Sequence, residues 1–295
     1  MKSGFCLFIT TLLLSPLCNA QVPVIQPDLS QKTGIAPAFF GPNAFQVPTM
    51  LDGRVSPVFS AQIGGHFTNG RIVPGKTDRT WDLSAGLRIP LFSPRVNLSL
   101  WMPVREWYTM SPEVMAARRI SPGINGRGSE YGPAFISVDI HVLKAQEGHW
   151  WPDLALRIAL RTASEDKAFA SARSYDCPGY FFDIAAGRSF GPFRLALSTG
   201  FLCWQTDNGR QNDAVMFGVL ARYNHQYFNV SAQYGGYFGW ERYGDFPRSL
   251  KARAEIGPGH WPVRPVLTFQ HGFNDWPFDS YGVGITYSIN KAKHN

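Results

Sequence analysis

The sequence predicts an all-β chain that folds as an antiparallel barrel of about twelve strands. Three observations support this prediction: apolar and polar residues alternate with a period of two from Val55 onward, the alternating segments are long, and their number is even. The alternation is clearest over 153–163, where leucine and isoleucine alternate with alanine and arginine. The predicted strands are 55–67, 79–91, 95–106, 131–144, 153–163, 179–190, 193–204, 214–223, 227–239, 248–256, 262–271 and 280–290.

The length of the segments points to a membrane. Most have about 9 to 13 residues, whereas strands of globular proteins have about 5 to 6 on average, and a tilted strand needs about 9–11 residues to cross a bilayer. The connections after the first, third and fifth segments are long, and those after the second, sixth and eighth are tight. This alternation is typical of barrels with short periplasmic turns and longer outer loops. We therefore predict a transmembrane barrel with both termini on the periplasmic side.

The tryptophans fall near the predicted strand ends, where an aromatic girdle lies in such barrels. Those near the outer ends are Trp81, Trp107, Trp204, Trp240 and Trp276, and those near the inner ends are Trp150, Trp151 and Trp261. Trp101, in the middle of a strand and on its polar face, is the exception. A secreted β-sandwich or lipocalin-like barrel remains the alternative, because alternation alone does not show whether the apolar face meets lipid or a protein core.

The N-terminal region precedes the alternating pattern. Residues 1–20 have the pattern of a secretory signal peptide, with an early lysine, an apolar stretch and a small-residue exit. Residues 21–50 are rich in proline and phenylalanine and have no period. We expect an extended periplasmic segment over 21–50, a barrel domain over 51–295, and a location in the outer membrane of a Gram-negative bacterium.

Two further properties limit the chemistry of the mature chain. It keeps Cys177 and Cys203, and export permits a disulfide between them, although the alternation points their side chains to opposite faces. The histidines lack the spacing of metal ligands and no glycine-rich phosphate loop is present, so we expect no metal and no cofactor. Export also argues against nucleic acid as a partner.

The positions of the charged residues predict the lining of the lumen and the class of solute that it would pass. The formal net charge is +7, and most of this excess falls on positions whose parity predicts an inward side chain. The predicted basic lining is Arg88, Arg95, Arg105, Arg157, Arg161, Arg194, Arg222, Lys251, Arg253 and Arg264. The predicted acidic lining is Asp82, Asp139, Asp153, Asp183 and Glu255. Because basic side chains in a pore favour anions, the sequence predicts a passive channel for small anionic solutes.

The alternative to a pore is a closed barrel with a structural or adhesive role, in which an interior salt-bridge network fills the lumen. The expected partners are outer-membrane lipids and, for the pore, small anionic solutes; nothing in the sequence indicates the oligomeric state. The connection 107–130 carries Arg118, Arg119 and Arg127. It is expected to be an outward basic loop, either solvated or in contact with acidic surface sugars.

The strand pattern over 55–290, including the closing alternation of 281–289, resembles the twelve-stranded porins of bacterial outer membranes. The resemblance implies the barrel fold and a channel function. It does not imply a particular solute, because one fold serves many functions.

A second resemblance concerns the stretch His66-Phe67-Thr68-Asn69-Gly70-Arg71 with Trp81-Asp82 downstream. It resembles the motif of outer-membrane phospholipase A, His-x-Ser-Asn-Gly-Arg with a downstream Trp-Asn pair. The resemblance implies acyl-ester hydrolysis with His66 as base, Thr68 as nucleophile and Asp82 as the group that orients the imidazole.

This chain departs from that motif, since threonine replaces serine and aspartate replaces asparagine. Parity also points His66, Thr68 and Asp82 into the lumen, whereas a phospholipid hydrolase needs its site on the lipid side. A polar strand end that runs into a turn explains the same residues. We therefore expect a channel without enzymatic activity, with lipid hydrolysis as the alternative.

Overall fold

The computed structural model describes residues 37–120, 123–146, 148–164, 178–204, 213–239 and 246–289. Within these ranges the chain forms thirteen antiparallel strands, one α-helix and a short 3-10 helix. The strands are β1 (Phe59–Gly70), β2 (Asp78–Pro90), β3 (Val96–Met110), β4 (Arg127–Glu130), β5 (Phe135–Leu143), β6 (Asp153–Arg161), β7 (Gly179–Phe190), β8 (Phe193–Cys203), β9 (Asp213–Asn224), β10 (Phe228–Gly239), β11 (Pro247–Ile256), β12 (Val263–Asn274) and β13 (Phe278–Ile289). The helices are α1 (Pro112–Ala117) and the 3-10 helix (Pro37–Phe39).

The described strands close into a twelve-stranded barrel. Consecutive strands pair antiparallel, and β1 pairs with both β2 and β13, so the sheet has no free edge at its ends. β4 pairs with β3 over 106–109 and β5 pairs with it over 96–101, so β4 and β5 share one strand position. The predicted all-β antiparallel barrel is confirmed. The short strand β4 is additional, because the sequence pattern predicted no strand in the connection 107–130.

The two ends of the barrel differ. We term the end with the connections 71–77, 111–126, 162–178, 204–212, 240–246 and 275–277 the loop end, and the opposite end the turn end. The turn end has the connections 91–95, 144–152, 191–192, 225–227 and 257–262, which include the shortest ones. Among the described residues, no helix has both the length and the apolar character needed to cross a bilayer.

Side chains alternate between the two faces of the wall. The outward face exposes apolar residues along its height, such as Ile63, Leu197 and Val283. The inward face buries polar ones, such as Asp183 and Thr286. Because a continuous apolar surface of this kind is unfavourable in water and favourable in hydrocarbon, the outward face has the character of a lipid-facing surface and the lumen is polar.

Residues 40–56, termed the lumen segment, run through the barrel from the loop end to the turn end. Their backbone carbonyls accept hydrogen bonds from the wall: Arg118 donates to Phe40, Trp276 Nε1 to Pro42 (3.3 Å), Lys251 Nζ to Val47 (2.6 Å), Arg194 Nη2 to Asp52 (2.7 Å) and Asn97 Nδ2 to Ser56 (2.8 Å). An extended chain without a strand partner needs such donors, because an unpaired buried carbonyl is costly.

An apolar cluster fixes the middle of the lumen segment. Phe45 and Val47 are almost fully buried against Leu202, Trp204 and Tyr237 of the wall. These contacts account for the aromatic and apolar residues without a period in this part of the sequence. The predicted extended segment over 21–50 is described from residue 37, and its residues 40–50 lie inside the barrel.

Two wall glycines allow the lumen segment to approach closely. A Cβ at Gly187 would lie 2.1 Å from the carbonyl oxygen of Asp52, and one at Gly218 would lie 2.3 Å from Met50 Sδ. The first neighbour is backbone and cannot rotate away. Gly187→Ala is therefore expected to displace Asp52 and to lower the free energy of unfolding by about 1–3 kcal/mol.

Denaturant unfolding of the two proteins in detergent micelles checks this prediction. Gly259→Ala is the matched control, since no heavy atom lies within 4 Å of its added Cβ. Equal stability of Gly187→Ala and the unsubstituted protein would show that the close approach is not needed.

The helix α1 folds the loop end against the barrel mouth. The Arg118 guanidinium, just after α1, is buried and donates to the carboxylate of Asp78 and to the lumen segment. Arg119 lies over the ring of Phe39 at 4.7 Å. The predicted outward basic loop is thus wrong for Arg118, because its charge pairs with a carboxylate inside the mouth.

An exposed contact joins α1 to the neighbouring connection. Lys76 Nζ donates to Glu113 Oε1 at 2.5 Å, and this hydrogen bond lowers the pKa of the Glu113 carboxyl to about 2. Any stability from the contact is present above the ordinary pKa of a glutamate and is lost as the pH falls through about 2.

The described tryptophans near strand ends differ in exposure, and Trp151 is intermediate. Trp81, Trp107, Trp150 and Trp261 are exposed, as expected for a girdle. Trp204 and Trp276 are 2% and 3% exposed. Trp204 belongs to the apolar cluster around Phe45, and Trp276 Nε1 donates to the Pro42 carbonyl, so the girdle prediction is wrong for both. The sequence showed that these residues lie at strand ends but not which way they face.

Several predictions lie outside the described residues. They are the signal peptide over 1–20, the girdle position of Trp240 and the pairing of Cys203 with Cys177. Each stays a prediction.

Candidate functional site

The lumen holds most of the predicted basic lining. Of the ten predicted basic residues, the structure places eight inside the barrel: Arg88, Arg157, Arg161, Arg194, Arg222, Lys251, Arg253 and Arg264. All five predicted acidic residues, Asp82, Asp139, Asp153, Asp183 and Glu255, also face inward. The alternation of the sequence therefore located most of the predicted lumen side chains correctly, and it was wrong for Arg95 and Arg105.

Arg105 lies on the outward face, because a β-bulge in β3 reverses the alternation. Ser84 pairs with Pro103 and Leu83 pairs with Arg105, so Val104 is the extra residue. Arg105 consequently shares a face with the exposed Leu83 and lies over the ring of Tyr131 at 4.5 Å. A bulge shifts every later side chain to the other face, and the sequence alternation did not reveal it.

Arg95 lies at the turn end instead of inside the lumen. It belongs to the connection 91–95, just before β3, and is exposed. Its neighbours in a rim cavity of about 440 Å³ are Val142, Leu143 and Lys144. The predicted strand began one residue too early, and a residue in a turn does not continue the strand's alternation.

A network of ion pairs, of which the pair between Arg194 and Asp153 is fully buried, anchors the lumen segment at the turn end. Arg194 Nη2 lies 3.0 Å from Asp153 Oδ2, and Arg54 Nε of the segment lies 2.7 Å from the same oxygen. Asp52 of the segment pairs with Arg222 and also accepts from Arg194 through its backbone carbonyl. Removing one partner of the buried pair between Arg194 and Asp153 would cost about 3–5 kcal/mol. The pairs of Arg54 with Asp153 and of Arg222 with Asp52 include a partly exposed arginine and contribute less.

The middle of the lumen contains a second set of contacts. Arg157 Nε and Nη2 bind both oxygens of Asp183, at 2.7 and 3.0 Å. The same guanidinium donates to the carbonyl of Thr49 at 2.7 Å. Such two-pronged pairs fix the arginine and neutralise its charge. Arg157 therefore serves chiefly to hold the lumen segment.

Two lumen cations make no ion pair with any described residue. Arg88 is exposed to the lumen and has neither a carboxylate nor a hydrogen-bond partner among the described residues. Lys251 Nζ donates only to Val47 O at 2.6 Å and to Thr49 Oγ1 at 3.4 Å. Arg88 lies within electrostatic range of Arg253. Arg88 and Lys251 are therefore the strongest candidates to attract an anion.

The sequence reasoning missed six charged lumen residues. Arg54 and Asp52 belong to the lumen segment, and Arg118 with Asp78 closes the loop end. Glu106 follows the bulge, and Glu130 belongs to β4. Asp78 stands just outside a predicted strand, so a slightly longer strand prediction would have found it. The others have no signal in the alternation.

With these residues included, the described lumen has an axial charge gradient. The turn end has Arg54, Arg88, Arg194, Arg222, Arg253 and Arg264 against Asp52, Asp153 and Glu255. The loop end has Arg118 and Arg161 against Asp78, Asp82, Glu106 and Glu130. The middle has Arg157 and Lys251 against Asp139 and Asp183. The basic excess is therefore concentrated at the turn end and is not spread through the lumen.

The residues of the hydrolase motif also lie in the lumen. His66 and Asp82 are directly opposite each other on β1 and β2, with His66 Nδ1 2.9 Å from Asp82 Oδ1. Thr68 is buried, and its hydroxyl donates to Ser280 Oγ at 2.9 Å. The structure brings the predicted base and orienting carboxylate together, while the predicted nucleophile is bonded elsewhere.

The chemistry open to this pair is limited by its surroundings. With Nδ1 on Asp82, the Nε2 atom of His66 is the nitrogen that could accept a proton. The ring packs over Gly282, where an added Cβ would lie 2.8 Å from Nε2. Asn43 Nδ2 donates to the other Asp82 oxygen at 3.4 Å, so the pair also contacts the lumen segment.

The comparisons with known proteins concern the fold. No protein-family model and no curated protein matches the chain. An outer membrane channel from Pseudomonas putida F1 is structurally similar, with a TM-score of 0.56 and 10% identity over 82% of this chain and 100% of that chain. The NanC porin has a TM-score of 0.50 and 8% identity over 78% of this chain and 100% of that chain. The chain has the fold of outer-membrane channel and porin barrels.

Proposed function

We propose that the chain is a passive outer-membrane channel for small anionic solutes, whose passage is narrowed by the lumen segment. The observation that carries this proposal is that Arg88 and Lys251 face the lumen without a carboxylate partner among the described residues. Basic side chains that are not neutralised attract anions and repel cations in a pore. The solute would meet them at the turn end and in the middle of the barrel.

The charge gradient supports this proposal. An anion that enters from the turn end meets the basic excess first, where the low-dielectric wall strengthens its attraction. A twelve-stranded barrel is wider than the filled eight-stranded type and narrower than open porins, and the lumen segment occupies part of this width. The channel is therefore expected to pass small solutes slowly.

Swelling of proteoliposomes tests the proposal. We expect glucuronate to enter faster than glucose, and glucosamine, which is cationic, to enter slowest. Swelling no faster than that of protein-free liposomes would support the closed structural barrel instead.

The contact between His66 and Asp82 supports lipid hydrolysis as a second candidate function, and the position of this pair in the lumen, away from the lipid side, opposes it. If this site acts, His66→Ala is expected to reduce phospholipid turnover at least about 100-fold, since a general base typically contributes 10²–10⁴-fold. Thr68→Ala is expected to do the same if its hydroxyl is the nucleophile. Turnover by purified protein in mixed micelles measures both, and turnover unchanged in both variants would exclude this site.

A further inference from the structure

Two parallel rows of side chains cross the outward face of the barrel near the loop end. The aromatic row consists of residues paired in register across five neighbouring strands: Phe269, Tyr281, Phe67, Trp81 and Trp107. The polar row lies two residues nearer the loop end and is also paired in register: His271, Asp279, Asn69, Arg79, Thr109 and Arg127. The function proposed above uses neither row.

The position of the aromatic row indicates the depth of the polar row. Trp81 and Tyr281 are more than half exposed on the outward face, and such rings prefer the boundary between headgroups and acyl chains. Two residues along a strand span about 7 Å. In the proposed membrane placement, the polar row therefore lies at the level of the lipid headgroups.

The polar row has an excess of positive charge. Its carboxylate, Asp279, is shared between His271 Nδ1 at 2.6 Å and Arg71 Nε at 2.8 Å. Arg79 and Arg127 are exposed, and neither side chain has an ion-pair partner among the described residues. The guanidinium groups of Arg79 and Arg127 are thus available to bind a ligand at the level of the lipid headgroups.

On the strands β6 to β10, the described part of the outward face has no arginine or lysine near the loop end. On β7 to β10 the outward residues Phe182, Phe201, Val215 and Phe238 are paired in register and are apolar. The same register two residues nearer the loop end has Tyr180, Cys203 and Asp213 on β7 to β9, and none of these is an arginine or a lysine. The outward basic residues near the loop end therefore lie in one sector, from β11, which has Arg248, to β4.

We propose that this sector binds a lipid of the surrounding leaflet through a phosphate group of its headgroup. The planar guanidinium forks of Arg79 and Arg127 match the geometry of phosphate oxygens, and acyl chains of the same lipid would pack on the aromatic row. The lipid phosphate supplies the negative charge that the row lacks. This inference rests on the proposed membrane function, because it requires the aromatic row to lie in a bilayer.

Native mass spectrometry of the full chain in detergent micelles, with diphosphorylated lipid A as the probe, tests the proposal. The double variant Arg79→Gln with Arg127→Gln is expected to bind the lipid at least about tenfold more weakly, since it loses the charge-assisted hydrogen bonds from both guanidinium groups to the phosphate. The unsubstituted protein is expected to bind phosphate-free lipid A equally weakly.

The control variant is Arg188→Gln, which removes an outward arginine paired opposite Leu195 near the turn end. It is expected to bind the lipid as the unsubstituted protein does. Two results with the lipids would overturn the proposal: unchanged binding by the double variant, or equal binding of the two lipids by the unsubstituted protein. Loss of a protein dimer in the double variant alone would also overturn it, because the sector would then contact a second copy of the chain. Heat-modifiable migration shows that the variants are folded, and proteoliposome swelling reports the channel function separately.

Discussion

Deletion of residues 21–50 is expected to raise the single-channel conductance several-fold. Residues 40–50 pass through the lumen and are held by Arg157, Gln233 and Lys251 of the wall. Their removal would leave the twelve paired strands intact and would open the cross-section that the segment fills. Planar-bilayer recording of the full and shortened chains, both produced behind the same signal peptide, measures the change.

A matched variant keeps the lumen segment in the barrel and reduces the volume of two of its side chains. Phe45→Ala with Val47→Ala keeps the backbone carbonyls that the wall donors bind, and it removes the side-chain contacts with the apolar cluster and with Arg161. A smaller rise in conductance is expected from it. A shortened chain that migrates as a folded barrel and conducts like the full chain would contradict the role given to the lumen segment.

The second large effect concerns ion selectivity. Arg88→Glu with Lys251→Gln is expected to convert the anion preference into a cation preference. The first change replaces an unpaired lumen cation with an anion, and the second removes a charge while keeping a donor for Val47 O. The reversal potential in a potassium chloride gradient is expected to change sign.

Arg95→Glu with Arg105→Gln is the control for this experiment, because it alters the net charge equally. The alternation of the sequence predicts both residues in the lumen, whereas the structure places them at the turn end and on the outward face. The reversal potential of the control is expected to stay near that of the unsubstituted protein. An equal shift in both variants would show that overall charge, not the lumen positions, sets the selectivity.

The wall of the barrel could be predicted from the sequence because one physical constraint governs every strand. Each strand must present apolar side chains to one face and polar ones to the other, so the alternation shows both its extent and its orientation. The prediction failed where this constraint is interrupted. The bulge at Val104 and the turn position of Arg95 are such interruptions.

The lumen segment could not be predicted in the same way. Its extended backbone bonds to side chains from many strands, such as Trp276, Gln233 and Arg194, and these contacts leave no period in the sequence. The carboxylates at the loop end were missed for a related reason, since Glu130 lies in a short strand within a connection. The predicted basic excess of the lumen was therefore too large.

The reversal potential of the full, unsubstituted chain in a planar bilayer, recorded across a potassium chloride gradient, tests the central claim most directly. The lumen described here predicts stepwise conductance and a potential of the sign that chloride selectivity gives. A bilayer that contains folded protein and shows no conductance, or a potential of the sign that potassium selectivity gives, would contradict it.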